Sequence, residues 1–461
     1  VTRTTDRAGS VVGTPGSPRA RIVIAVASLG FFLITLDISI VNVALAQIQA
    51  ELGGGTTVQQ WIIDGYTLPF AALLLFAGNL ADRIGAKRAF ALGVLLFGLA
   101  SAGCGAAPSA GWLIASRCVQ GAAAAVMLPA SMSLVREAFP DPSRRARALG
   151  VWAVGGAVAG LVGQPLGGAL TTIDWRWVFT MNLPVCAAML ALLVVVARSP
   201  TRPARFDYAG QLLALIALSA LVYGLIEGGH QGFAAPLVLI SLGTAAAALA
   251  GFLIVQAKVR QPMMPLELFA SRGLRIALLV GFAFMIGNFG NVFVVSLYLQ
   301  QHLGLPPAQA GLAFLPSAFF AIAGNLLSGP VTNRFGARVP VVAGLSSMVV
   351  GLLGLVITAP LGSPVITALC VIPIGAGGSL AMPSVTGVVL EGVPAERAGT
   401  ASAVFNTFRQ IGGAVAIAVF GSMIADRYRF VAGMQTSLTI AAACLLISSV
   451  ISLGIRPRQH R

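Results

Sequence analysis

Apolar residues in this chain neither alternate nor keep to one helical stripe. They come in long blocks separated by short polar stretches. Fourteen blocks stand out: 22–46, 57–78, 89–107, 111–135, 147–171, 177–197, 207–227, 236–257, 275–300, 309–330, 339–358, 363–390, 399–423 and 434–455. A helix needs about 20 apolar residues to cross ~30 Å of hydrocarbon, and a helix apolar on every side has to be buried or in lipid. The blocks therefore predict fourteen transmembrane helices joined by short loops, with both chain ends on one side.

Composition agrees with the pattern. Of 461 residues, 57% are hydrophobic and 9% charged, with a mean hydropathy of +0.90. A soluble domain carries roughly 25% charge, so a large water-soluble globule is excluded, and so is a disordered chain. The net charge of +15 would suggest nucleic acid in a soluble protein. Here the basic residues recur in clusters at alternate loops, among them Arg83, Lys87 and Arg88, then Arg136, Arg144, Arg145 and Arg147, while the other side receives Arg176, Arg427 and Arg429. That is the positive-inside pattern: it predicts cytoplasmic termini, with lipid headgroups rather than nucleic acid as the partner. Residues 1–21 are polar and rich in Gly, Ser, Thr and Pro, predicting a flexible cytoplasmic tail and no cleavable signal peptide; 456–461 form a second tail.

Several chemistries find no support. The two lysines, Lys87 and Lys258, each follow alanine, so no phosphate-cradling Gly-Lys pair exists. The cysteines (Cys104, Cys118, Cys186, Cys370, Cys444) lie in apolar runs without CxxC spacing, and His230, His302 and His460 form no cluster. Neither a metal nor another cofactor is expected, and no loop is long enough for a catalytic domain.

An internal repeat organises the chain. Gly78, Arg83, Gly85, Ala86 and Lys87 match Gly329, Arg334, Gly336, Ala337 and Arg338 at an offset of 251; Gly121, Ala122 and Pro129 match Gly375, Ala376 and Pro383. The first echo is expected in a cytoplasmic turn after the second span of each set. Such repeats build secondary transporters that handle substrate between two halves. The expected organisation is a six-helix bundle over 22–198, two inserted helices over 199–258 and a second six-helix bundle over 259–455.

Four motifs then resemble one family. They are Leu36-Asp37-Ile38-Ser39-Ile40-Val41-Asn42-Val43-Ala44-Leu45, Gly78 to Arg88, Arg117-Cys118-Val119-Gln120-Gly121, and Gly163 to Gly168, the last followed by Trp175-Arg176-Trp177 and Asn182-Leu183-Pro184. Over residues 22–455 the chain resembles the major facilitator superfamily, in its fourteen-helix drug:proton antiporter branch of EmrB/QacA type. The resemblance implies an all-α membrane fold of two pseudo-symmetric six-helix bundles plus two inserted helices. It departs from the family at the fifth span, where Gly163-Gln164-Pro165-Leu166-Gly167-Gly168 carries its proline one residue late, and at Ala46, where a proline is usual.

A charge at mid-bilayer costs roughly 2.5–3.5 kcal/mol on an insertion scale, so it signals a role. At about 1.5 Å per residue, Asp37, Asp64 and Arg117 fall at one depth, some 20 Å above the cytoplasmic edge. An Asp37–Arg117 interaction is expected on the wall of a central cavity, with Asp64 nearby. Apolar surroundings disfavour a charged carboxylate and a nearby guanidinium favours it, so alternate opening can load a proton outside and release it inside, in competition with a cationic drug. A static pair that sets helix packing is the competing reading. Asn42, Gln120, Asn288, Asn291 and Arg409, with Phe289, Tyr298 and Phe405, are further cavity candidates; Arg409 equally suits a structural partner for backbone carbonyls. By resemblance, Gly78, Asp82, Arg83, Gly85, Lys87 and Arg88 form a lock between the halves, Gly78 and Gly85 allowing close backbone approach and Asp82 sitting near a helix N-terminus. Gly163, Pro165, Gly167 and Gly168, continuing a GxxxG spacing from Gly156 and Gly160, imply close packing and a seal against proton leak.

The function expected is export of hydrophobic, cationic drugs or antibiotics in exchange for protons, by a monomer in the inner or plasma membrane of a bacterium, driven by the proton gradient. The alternative is a dedicated exporter of one metabolite, lipid or antibiotic. A membrane enzyme would need clustered His, Asp or Glu, and a channel a selectivity ring; neither is present in the sequence.

Overall fold

The computed structural model describes residues 18–201, 207–259, 262–394 and 397–455, and the regular structure there is helical throughout. Fourteen helices among them are long and apolar enough to span a membrane: α1 (Arg19–Leu52), α2 (Gly55–Ile84), α3 (Ala86–Gly105), α4 (Ala110–Ala138), α5 (Ser143–Ile173), α6 (Trp177–Val194), α7 (Tyr208–Gln231), α8 (Pro236–Lys258), α9 (Arg272–His302), α10 (Pro307–Phe335), α11 (Arg338–Leu361), α12 (Pro364–Glu391), α13 (Ala398–Met423) and α14 (Phe430–Ser452). Each overlays one predicted block. In hydrocarbon every backbone N–H and C=O needs an internal partner, which the helix alone supplies.

Several helices outrun their apolar blocks, because hydrogen bonding continues past the point where side chains turn polar. α1 starts inside the expected tail, at Arg19, whereas residues 1–17 and 456–461 lie outside the described residues. Likewise Gly78 to Ile84 form the last two turns of α2 and not a loop; the turn itself is Gly85. Its repeat partner Gly336 follows α10 in the same way, and both have positive φ, +89° and +77°. Only glycine adopts that backbone cheaply.

Packing repeats with the sequence. In the first bundle α1 packs on α5, α2 and α3 on α4, and α3 on α6; in the second α9 packs on α13, α10 and α11 on α12, and α11 on α14. The crossings also match in detail. Gly121 of α4 lies under the Tyr66 carbonyl of α2, and Gly375 of α12 under the Ser317 carbonyl of α10, a shift of 251–254 residues.

Two seams join the bundles, α2 against α13 and α5 against α10. The inserted helices α7 and α8 pack together, and α7 also lies on α2 and α13, so they flank the first seam. Hydrogen bonds between the bundles gather away from the face that carries the basic loops. Gln60 Nε2 donates to the Ile417 and Ala418 carbonyls (3.1 and 2.6 Å), Ser296 Oγ to the Asn42 carbonyl (3.0 Å) and Gln301 Nε2 to Gln49 Oε1 (2.8 Å). Thr407 Oγ1 reaches the Ala71 carbonyl at 3.5 Å nearer mid-membrane. On that same closed face Glu51 pairs with Arg176 (2.7 Å) and accepts from Trp175 Nε1 (2.6 Å), and the carboxylate raises the affinity of Arg176 for its proton.

Candidate functional site

Asp37 of α1 and Arg117 of α4 form an ion pair that is 0% and 1% exposed. Five further groups complete it. Arg117 donates through NH1 to Gln120 Oε1 (2.8 Å) and through Nε to the Ile62 carbonyl (3.1 Å), and its guanidinium lies 4.4 Å over the Tyr66 ring. Asp37 Oδ1 accepts from Gln120 Nε2 (2.8 Å) and Asn182 Nδ2 (3.2 Å), and both amides also donate to Ser101 Oγ (2.9 and 3.3 Å). Helices α1, α3, α4 and α6 therefore meet on one buried polar network. Spacing explains it: Arg117 and Gln120 are three apart and share one face of α4.

The other ion pairs among the described residues, Arg176 with Glu51 and Asp174, and Arg397 with Glu267, are 30–76% exposed at helix ends. Surface pairs of that kind contribute about 0–1 kcal/mol. The Asp37–Arg117 pair differs in kind, since each charge removed from water costs several kcal/mol unless partner and hydrogen bonds offset it. At Val371, the position 254 residues beyond Arg117, the second bundle has no charge.

A central cavity does lie between the bundles, but the pair does not line it. Its wall is Ile38, Ser39, Asn42, Ile63, Gln164, Asn288, Phe289, Val292 and Ile417, enclosing about 40 Å³. Asp37 points the other way, into the first bundle, because residues 38, 39 and 42 occupy the cavity face of α1. The expectation that Asp37 and Arg117 stand on the cavity wall is corrected accordingly: the wall of α1 separates them from it. Asp64 is buried as well; its Oδ1 accepts from Thr67 Oγ1 (3.0 Å), its Oδ2 meets no donor among the described residues, and it takes no part in the Asp37 network.

Of the other cavity candidates, Asn42, Asn288 and Phe289 line the space. Gln120 belongs to the charge network, Asn291 is buried off the wall, and Tyr298 is buried with its hydroxyl on the Ala359 carbonyl (2.6 Å). Arg409 stacks 5.7 Å from both Phe284 and Phe405 and donates to Asn406 Oδ1 (3.3 Å), with Nε unpartnered, so it does not tie down backbone carbonyls. The wall carries two unused acceptors, Asn42 Oδ1 and Gln164 Oε1, whose amide nitrogens are spent on the Ile38 and Ser39 carbonyls. Such a lining suits water or a donor cation. At its present size the cavity holds water and not a drug, for which pockets of ~300–1,000 Å³ are usual.

All the named glycines of α5 except Gly160 pack closely against a neighbouring helix. A Cβ at Gly163 would sit 2.7 Å from Ser39 Cβ, one at Gly167 2.7 Å from the Ile40 carbonyl, and one at Gly168 2.4 Å from the Pro307 carbonyl. Gly163 and Gly167 thus seat α5 on α1, while Gly168 and Pro165 face the start of α10 across the seam. The late proline leaves α5 unbroken from Ser143 to Ile173. Gly160 stands free, without close neighbours.

In the basic turn, Lys87 bonds within its own bundle, Nζ to the Val194 and Val196 carbonyls and its backbone N–H to Ser199 Oγ (3.0 Å). Those contacts latch α3 to the end of α6 within the first bundle. Asp82 lies exposed on the last turn of α2, and the N-cap of α3 is Gly85, without a side-chain cap. Arg83 and Arg88 are exposed too. Gly85 approaches the Ser199 carbonyl, with a Cβ there 3.1 Å away, whereas Gly78 meets nothing within 4 Å and does not serve close approach. Gly85→Ala is accordingly expected to cost about 1–3 kcal/mol in a thermal unfolding assay, and Gly78→Ala to be neutral or slightly stabilising.

Ser101 and Tyr66 are site residues that the sequence reading passed over, and Gln164 and Asn182 entered it only as parts of motifs. A serine in an apolar run is ordinary helix packing, and an aromatic or amide gains meaning only once its neighbour across the helix interface is known.

Comparison with known proteins agrees with fold and motifs. A family model described as Major Facilitator Superfamily matches residues 27–417. A methylenomycin A resistance protein of Streptomyces coelicolor is 36% identical over 438 residues, covering 94% of this chain and 91% of its own. The multidrug resistance protein Stp of Mycobacterium tuberculosis is 37% identical over 404 residues (86% and 74%), and a tetracenomycin C resistance and export protein of Streptomyces glaucescens is 34% identical over 440 residues (92% and 80%). Among solved structures, a peptide transporter POT in complex with sulfate superposes with a TM-score of 0.71 at 15% identity, covering 96% of this chain and 95% of its own. A D-xylose-proton symporter does so with 0.66 at 15% identity (95% and 98%). With a family model along most of its length and resistance proteins above 30% identical over nine-tenths of it, the chain belongs to the major facilitator superfamily, on its drug-resistance branch.

Proposed function

We propose that this protein exports hydrophobic, cationic drugs or antibiotics in exchange for protons by alternating access. The observation that carries the reading is the Asp37–Arg117 pair, the one ion pair buried inside the membrane among the described residues. A carboxylate held by a guanidinium and two amides has a discrete alternative: protonate, release Arg117 and let α1 shift against α4. Because the wall of α1 carries Ser39 and Asn42 into the central cavity, such a shift changes the cavity directly. The free acceptors of Asn42 and Gln164 favour a donor cation there, and Asp64, with one unpartnered oxygen, is a second proton carrier. The relatives named for antibiotic resistance support the drug class.

The basic face is assigned to the cytoplasm of a bacterial cell by the positive-inside rule, which puts both termini there and makes the described conformation closed toward the outside. The working units are 22–198, the inserted pair within 199–258, and 259–455, acting as a monomer. The test is export of ethidium, a lipophilic cation, from cells producing the protein. Efflux is expected to stop when an ionophore collapses the proton gradient, and Asp64→Asn to slow it at least tenfold. Efflux that survives the ionophore at full rate would remove proton coupling.

A further inference from the structure

A second cavity, about 340 Å³, opens beside the α2–α13 seam under the inserted helices. It is eight times the central one and in the range of small-molecule sites. Ala72 of α2, Ala217 of α7, Leu253 of α8 and Phe408 of α13 form its sides, and Met264 and Phe269 of the 262–271 strap its floor. Counted from the helix ends at 1.5 Å per residue, it lies about 8–20 Å above the basic face, within that leaflet's hydrocarbon.

Three features make it a chamber and not a packing defect. Its lining is apolar apart from Thr407, whose hydroxyl is engaged with the Ala71 carbonyl. Its floor is pinned: the Met264 N–H donates to Gln256 Oε1 (2.9 Å), Gln256 Nε2 to Asp207 Oδ2 (2.6 Å), and Asp207 Oδ1 caps α7 at the Gly210 N–H (2.8 Å). Arg397, at the N-cap of α13, also meets Glu267 of the strap (2.6 Å), in an exposed pair. Its mouth faces sideways, because Leu249 and Leu253 line it while being 52% and 43% exposed on the outer face of α8.

We propose that the inserted helices and the strap form a receptor for compact, uncharged lipophilic molecules dissolved in the basic-side leaflet, distinct from the central polar cavity. A charged guest would find no partner there and would pay its desolvation unrelieved. An apolar guest of one or two rings gains contact with the aliphatic and aromatic side chains that line the space. The α5–α10 seam has no such cover, so the pseudo-symmetric fold receives lipophilic molecules on one flank.

The test uses adamantyl diazirine, a neutral photoreactive hydrocarbon, on the full chain in phosphatidylcholine nanodiscs without any gradient, so that failure of proton coupling leaves the result untouched. Labelling is expected to concentrate on the strap and α7, to saturate, to be displaced by excess adamantane, and to fall at least tenfold in Ala217→Trp and Ala214→Phe, which fill the space. Labelling that rises linearly and spreads over lipid-facing residues such as Leu239 and Leu446 would show a groove filled by acyl chains and overturn the proposal. So would strap labelling that persists in a folded filling variant. If neither variant folds, saturation and displacement in the wild-type protein decide.

Discussion

Asp37→Asn is expected to lower the stability of the purified protein by about 3–5 kcal/mol and to abolish ethidium efflux. The stability loss follows from leaving Arg117 charged and buried with only neutral acceptors around it: Gln120, the Ile62 carbonyl and the amide oxygen introduced at position 37. Breaking one side of a buried pair costs that much, because the surviving charge keeps its desolvation penalty. Arg117→Gln has the mirror effect on Asp37. The double variant Asp37→Asn/Arg117→Gln removes both charges while keeping amides at both positions, and it is expected to regain most of the lost stability. Efflux, in contrast, is expected to stay absent. A network that served packing alone would recover both together, so thermal unfolding and efflux on the three variants separate the two roles.

The second large effect is steric. A Cβ at Gly121 would lie 2.1 Å from the Tyr66 carbonyl oxygen and 2.9 Å from its Cα, all backbone of α2. Nothing there can rotate away, so Gly121→Val must push α2 from α4. Overpacking typically costs about 1–3 kcal/mol, and here it also drags Tyr66 off the Arg117 guanidinium. Loss of efflux is expected even in protein that still folds. Gly160→Ala supplies the contrast: it is exposed on α5 with open space around it, and helix propensity alone favours alanine by up to ~1 kcal/mol. Thermal unfolding of the two variants should move in opposite directions.

Much of the fold was legible because a bilayer imposes a length and a polarity that survive as blocks. The fourteen spans and the repeat could be read without coordinates, and the depth estimate brought Asp37 and Arg117 together. What could not be read is helix rotation. Asp37 and Ser39 are two residues apart and differ by about 200° around α1, so one faces the charge network and the other the cavity. Only neighbours decide which. The same limit hid Ser101, whose role exists only where α3 meets α4 and α6, and Asn182, whose role exists only where α6 meets α1. It also explains Lys87, whose partners are backbone carbonyls at the end of α6, invisible to any side-chain pattern.

The central claim is that the Asp37–Arg117 pair couples proton movement to cargo. It is tested most directly in inverted membrane vesicles with an imposed pH gradient, acid inside, by following ethidium accumulation and proton release together. The account predicts that wild-type protein releases protons when ethidium is added and accumulates the dye, and that the stabilised Asp37→Asn/Arg117→Gln variant does neither. Dye-driven proton release by that variant at the wild-type rate would contradict it.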